Sequence, residues 1–182
     1  MLNAVSIRSM PSSNTQPFGT PNIANISSGE VSRRIALART LGVEAGEILL
    51  EFAANGVNEH QKGRVDFVTD ADHASEAFLI EKISRAFPND TLFAEEGGGA
   101  LNREGFGWLI DPLDGTTNFM HGVPHYAVSI GVAYAGTPVG GVVVDPSRGE
   151  VFWTVRGSGA FLGKTPIAVS TRENLQNALL AT

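Results

Sequence analysis

The chain has 182 residues, with 13 Lys and Arg against 19 Asp and Glu for a formal charge of −6, and 42% hydrophobic side chains, which fits one soluble globular domain. It contains no cysteine, which excludes a disulfide framework, a thiol nucleophile and a thiolate-held metal. An acidic balance without a basic block predicts neither a nucleic-acid surface nor an anionic-membrane surface, so any phosphate handled here needs a cation to neutralise it.

In chain order, residues 1–29 carry Arg8 as their one charged side chain and are dominated by Ser, Asn, Thr and Pro, a composition that predicts a disordered tail ahead of a domain over 30–182. The tail is Ser-rich and acid-poor like a transit peptide but lacks the repeated Arg of one and any apolar signal core, so a cytoplasmic location is expected, with an organellar one as the alternative. From Glu30 onward Ile35, Ala38, Leu41, Ala45, Ile48, Leu49 and Phe52 recur at three- and four-residue spacing, which predicts a helix closing at Asn55-Gly56. A second helix is expected from Asp70 or Asp72 through Ala74, Ala77, Phe78, Ile83 and Phe87 to the stop at Pro88-Asn89-Asp90. Short strands are expected at 91–94 and 107–110. No Asp, Glu, Lys or Arg occurs over 115–144, a run long enough to suggest a membrane span. Within it, Tyr126, Val128, Ile130, Val132 and Tyr134 alternate with small residues, which is the period of strands. The remainder reads as an antiparallel meander at 126–135, 139–144, 151–155 and 160–162, with turns at 136–138, 145–149 and 156–159. Two helices on a meandering sheet make an α+β layer.

Three segments carry chemistry. In the first, the apolar run Trp108-Leu109-Ile110 delivers Asp111, Pro112 stiffens the exit, and Asp114 follows three residues later, so two carboxylates and the Leu113 carbonyl can converge on one hard cation. Gly115 permits a tight turn, and Thr116-Thr117-Asn118 opens a helix whose unpaired N–H groups favour phosphate. Asp114 reads equally as a helix cap in an Asp-Gly turn. In the second, Glu95-Glu96 precede Gly97-Gly98-Gly99, where adjacent carboxylates either sit in solvent or share a divalent ion with a third acid. The third is 66–72, in which Thr69 or Asp70 caps the second helix and acids fill its first turn. His121, beside a turn glycine, reads as a general base or as a structural hydrogen bonder.

Together the runs Val65-Asp66-Phe67-Val68-Thr69-Asp70-Ala71-Asp72, Phe93-Ala94-Glu95-Glu96 and 108–119 resemble the inositol monophosphatase family, Mg-dependent and lithium-sensitive phosphatases, over residues 31–182. The resemblance implies the first half of a layered αβαβα sugar-phosphatase fold, two helices on an antiparallel meander, stopping before a second α/β half. It implies two or three Mg²⁺ ions, the first bound by Glu95, Asp111 and the carbonyl of Leu113, the second by Asp111 and Asp114. Glu96 and Asp72 would assist through metal-bound water, Thr116 paired with Asp72 would orient the attacking water, and the amides of Gly115 and Thr116 would hold phosphate. Lys62 lies near the family's loop lysine, one residue closer to Asp66 than the family spacing. The implied activity is hydrolysis of inositol monophosphate or a similar polyol phosphate, with a fructose-bisphosphatase or nucleotide phosphatase as the alternative. The stretch Asn118-Phe119-Met120-His121-Gly122-Val123-Pro124 favours the inositol type. The partner is a small phosphate ester, with no nucleic acid or membrane, and the full-length family form is a homodimer. Because family members continue past 178–182 into a half that supplies another aspartate and most substrate contacts, a metal-binding fragment without turnover is also expected as a possibility.

Overall fold

The computed structural model describes residues 26–55, 59–61, 67–94, 104–171, 173, 174 and 176, with backbone alone at 59–61, 67 and 68. Helix α1 (Ser28–Asn55) begins two residues before the expected boundary and buries Val31, Ile35, Ala38, Leu41, Ala45 and Leu49 as one stripe. Strands β1 (Glu59–Gln61) and β2 (Phe67–Thr69) form a small antiparallel pair that the sequence pattern did not predict. Helix α2 (Asp70–Ala86) starts on a capping box, since the Thr69 side chain accepts from the Asp72 amide while the Asp72 side chain accepts from the Thr69 amide. It ends at Phe87, whose N–H bonds to the Ile83 carbonyl just before Pro88.

Seven further strands form one sheet in sequence order: β3 (Thr91–Ala94), β4 (Phe106–Asp114), β5 (Ala127–Tyr134), β6 (Thr137–Asp145), β7 (Glu150–Val155), β8 (Ala160–Leu162) and β9 (Thr165–Ile167). A five-residue helix, α3 (Thr116–Met120), lies between β4 and β5. The meander is antiparallel from β4 to β9, as expected for 126–162, while β3, expected as a short strand of unstated direction, runs parallel to β4. The reason is positional: α2 returns the chain to the same end of the sheet from which β4 also starts, and Thr91 pairs with Gly107. Strand β6 begins at Thr137, inside the expected turn. The hairpin is closed by Ala135 and Gly136 alone, both at positive φ (48° and 77°), so Thr137 already pairs with Tyr134. Pro138 then sits at a register shift, where a missing N–H does not cost a ladder bond.

Both helices pack on one sheet face, over Trp108, Ile110, Val128, Ile130, Val132, Val142 and Val144, all buried. A Cβ at Gly140 would lie 2.7 Å from Ile35 Cδ1 on α1 and 2.8 Å from the Thr154 backbone carbonyl on β7, so glycine is required there. The opposite face exposes Phe93 and Val143. Near the N-terminus of α1, the buried Arg34 guanidinium makes a two-point ion pair with Asp90 (2.7 and 2.8 Å) and bonds to Glu30 at 2.8 Å. It lies between the Phe87 and Phe106 rings, 4.2 and 3.6 Å from their centroids, and Asp90 also accepts from Trp108 Nε1 at 2.8 Å. This cluster ties α1, the turn after α2 and β4 together. Among the described residues no helix is long and apolar enough to cross a membrane.

Candidate active site

The site gathers where the N-terminus of α2 meets the end of β4. Strand β4 pairs Asp111 with Ser129 and Asp114 with Ala127, so β4 carries one residue more than β5 across this interval. Pro112 and Leu113 form the resulting bulge, and both are buried. The bulge redirects the chain so that Asp111 stays on the ladder, half-buried, while Asp114 emerges exposed at its end. The Asp111 Oδ1 accepts from the Leu113 amide at 3.2 Å, which ties the first carboxylate to its own turn. Asp111 also lines an open cleft of about 500 Å³ with Phe93, Leu109, Ser129 and Gly131.

Gly115 follows with φ 95° and ψ 35°, a left-handed conformation that a side chain rarely adopts. A Cβ there would also lie 3.1 Å from the His125 carbonyl. The turn releases Thr116, whose hydroxyl lies 3.1 Å from both Asp72 Oδ1 and the Leu113 carbonyl and donates its single proton toward them. The other Asp72 oxygen accepts from the Thr69 amide (2.8 Å) and hydroxyl (2.6 Å). Asp72 is therefore a buried carboxylate, 3% exposed, whose two oxygens are both held by hydrogen bonds. Asp72, distant in sequence, is thus linked through Thr116 to the Leu113 carbonyl, and the Leu113 amide in turn bonds to Asp111.

Helix α3 is seated by the Phe119 ring against Tyr126, edge to face at 4.9 Å, and by the Asn118 amide, which donates to the His125 carbonyl at 2.8 Å. Burial first, and the Asp145 charge second, push the Tyr126 phenol above its ordinary value. His121 is exposed at the end of α3, its backbone N–H bonding to the Thr117 carbonyl.

Of the residues singled out in the sequence, Asp72, Asp111, Leu113, Asp114, Gly115 and Thr116 come together here. Lys62, Asp66, Glu95 and Glu96 lie outside the described residues; β3 ends at Ala94, opposite Ile110. Among the described residues no three His, Cys, Asp or Glu side chains gather into a metal-holding group. The donors that are present, two carboxylates and a backbone carbonyl, are all oxygen and fit a hard cation such as Mg²⁺. Sequence reasoning passed over Ser75. It lies one turn beyond Asp72 on α2, is fully buried, and donates to the Pro112 carbonyl at 3.1 Å. Its three-residue spacing from Asp72 was the available signal.

Comparison with known proteins gives a consistent result. The description of the inositol monophosphatase family matches residues 30–182. The Nus factor SuhB of Haemophilus influenzae is 43% identical over 129 residues, covering 70% of this chain and 48% of its own. Inositol monophosphatase 3 of Solanum lycopersicum is 40% identical over 159 residues, covering 85% of this chain and 59% of its own. The chain thus spans about half the length of the curated relatives it matches. Among solved structures, the staphylococcal SaIMPase-II with inositol monophosphate bound superposes with a TM-score of 0.67 at 30% identity, covering 81% of this chain and 54% of its own. The same staphylococcal protein has also been solved with 2'-AMP bound.

Proposed function

This chain belongs to the inositol monophosphatase family, and from that premise we propose that it provides the metal-binding and water-orienting part of a Mg²⁺-dependent phosphomonoesterase acting on a polyol monophosphate. The observation that carries this reading is the Asp72–Thr116–Leu113 link, which joins α2 to the turn bearing Asp111 and Asp114. Asp111, Asp114 and the Leu113 carbonyl, with Glu95, are the oxygen donors that would hold two Mg²⁺ ions, and bound cations there would neutralise phosphate charge and ionise a water near neutral pH.

The chain's own residues account for the rest. The Thr116 hydroxyl gives its proton toward Asp72 and retains lone pairs with which to accept a hydrogen bond from the attacking water. Asp72, fixed on its other side by Thr69, is a positioning residue that keeps Thr116 in that orientation. Glu96 would add a carboxylate to the same water. Gly115 and Thr116 would hold the phosphate through backbone N–H groups at the start of α3, with Lys62 as an additional cation. The presence of 2'-AMP in the staphylococcal relative favours a second reading with nucleotide monophosphates as substrates.

Titration calorimetry with Mn²⁺ tests the site. Wild-type chain is expected to bind and Asp111→Asn to bind far more weakly, because one oxygen donor and its charge are lost. Unchanged binding in Asp111→Asn refutes the assignment. Mg²⁺-dependent phosphate release from inositol monophosphate and from 2'-AMP separates the two substrate readings.

A further inference from the structure

We infer that Ser75 is a positioning residue that orients the Asp111 carboxylate through a single peptide plane, an inference that rests on the proposed metal-binding role of that carboxylate. The Ser75 hydroxyl donates to the Pro112 carbonyl at 3.1 Å, reaching across from helix α2 rather than turning back onto its own helix. The Pro112 carbonyl belongs to the same peptide group as the Leu113 N–H, and that N–H donates to Asp111 Oδ1 at 3.2 Å. No cis peptide occurs among the described residues, so the C=O and N–H of this group point in opposite directions. Ser75 therefore holds one end of the plane while Asp111 occupies the other.

The need for such a hold follows from the bulge. Between the Asp111–Ser129 and Asp114–Ala127 pairs the ladder register shifts, so the peptide groups of Pro112 and Leu113 lack regular strand partners to fix their orientation. The hydroxyl of the fully buried Ser75 supplies the donor that the Pro112 carbonyl does not receive from a regular ladder. Asp72 and Ser75, one turn apart on the same face of α2, thus grip the turn at two points: Asp72 through the Thr116 hydroxyl, and Ser75 through the plane that ends on Asp111. Loss of the Ser75 hydroxyl frees the plane to rotate and loosens the hold that the Leu113 N–H has on the Asp111 carboxylate.

The test uses the 182-residue chain as wild type, Ser75→Ala, Ser75→Cys, and Ile83→Val as a control that trims a buried side chain elsewhere on α2. Mn²⁺ affinity is measured by calorimetry, and amide hydrogen exchange at Leu113 is followed without metal. Ser75→Ala is expected to weaken Mn²⁺ binding about tenfold, the usual effect of losing a group that orients a ligand, and to speed exchange at Leu113. Ser75→Cys, with a weaker donor of similar size, should fall between, and it carries the test if Ser75→Ala does not fold. Ile83→Val should lower the melting temperature without moving either readout. Unchanged affinity and unchanged Leu113 exchange in the Ser75 variants overturn the inference, as does an equal effect of Ile83→Val. A wild-type chain that takes up no Mn²⁺ while Ser75→Ala still accelerates Leu113 exchange refutes the metal reading and supports the Ser75–Pro112–Asp111 linkage.

Discussion

Replacing Asp72 by Asn changes the charge of the buried carboxylate but almost none of its shape, so the outcome can be worked out bond by bond. With the amide oxygen in the place of Oδ2, the Thr69 N–H and hydroxyl keep their acceptor at 2.8 and 2.6 Å. The amide nitrogen then takes the place of Oδ1 and presents an N–H to Thr116 Oγ1, which turns its own proton to the Leu113 carbonyl, 3.1 Å away. Each former partner of the carboxylate keeps a hydrogen bond, and the second amide N–H is the one added buried donor. All three charge-assisted bonds to the carboxylate become neutral ones, a loss of about 1 kcal/mol each, so Asp72→Asn should cost about 3 kcal/mol. Asp72→Ala also strands the buried Thr69 N–H, which adds about 1–3 kcal/mol. Urea unfolding of the three proteins measures both differences. Because Thr116 in the Asn variant accepts from the amide and no longer donates toward a carboxylate, phosphate release should fall by about 10²-fold or more while Mn²⁺ binding persists. Equal destabilisation by Asn and Ala would refute the bond accounting. Full phosphate release from a folded Asn variant would refute the role given to Thr116.

Arg34→Met leaves Asp90 buried beside Trp108 without its guanidinium and removes the contact between two aromatic rings. It should lower unfolding stability by about 3–5 kcal/mol, measured by urea denaturation, and the simultaneous Asp90→Leu change should recover part of that loss. Burial and the Asp145 charge raise the Tyr126 pKa in the folded state above the ordinary 10.0. The neutral phenol is therefore favoured by folding, and this stabilisation is present below the unfolded pKa and lost as pH rises through the folded one. Melting temperature should accordingly drop above about pH 10 in wild type, and less steeply in Tyr126→Phe.

Where chemistry is local, the sequence by itself determined the structure. The three- and four-residue spacing in α1, the stop at Pro88 and the alternation in β5 each depend on neighbours a few positions apart, and each appears at the expected place. The cap of α2 is local too, narrowed by the sequence to Thr69 or Asp70 and fixed on Thr69 by its reciprocal bonds with Asp72. The inositol monophosphatase motif at 111–116 was equally legible, because a strand, a proline, two acids and a glycine in that order restrict the backbone before any partner arrives.

The tertiary structure alone decided the contacts that join distant segments: Thr116 with Asp72, Ser75 with Pro112, and Arg34 with Asp90, separated by 44, 37 and 56 residues. A serine inside a helix and an arginine on a helix face look like ordinary polar residues, since nothing within a turn of them indicates the carbonyl or carboxylate they will meet. The parallel pairing of β3 was hidden for the same reason. A four-residue strand has the same alternation in either direction, and its direction depends on where α2 delivers the chain beside β4. The bulge at Pro112 and Leu113 likewise exists only relative to β5, because a register can shift only when there is a partner strand to shift against.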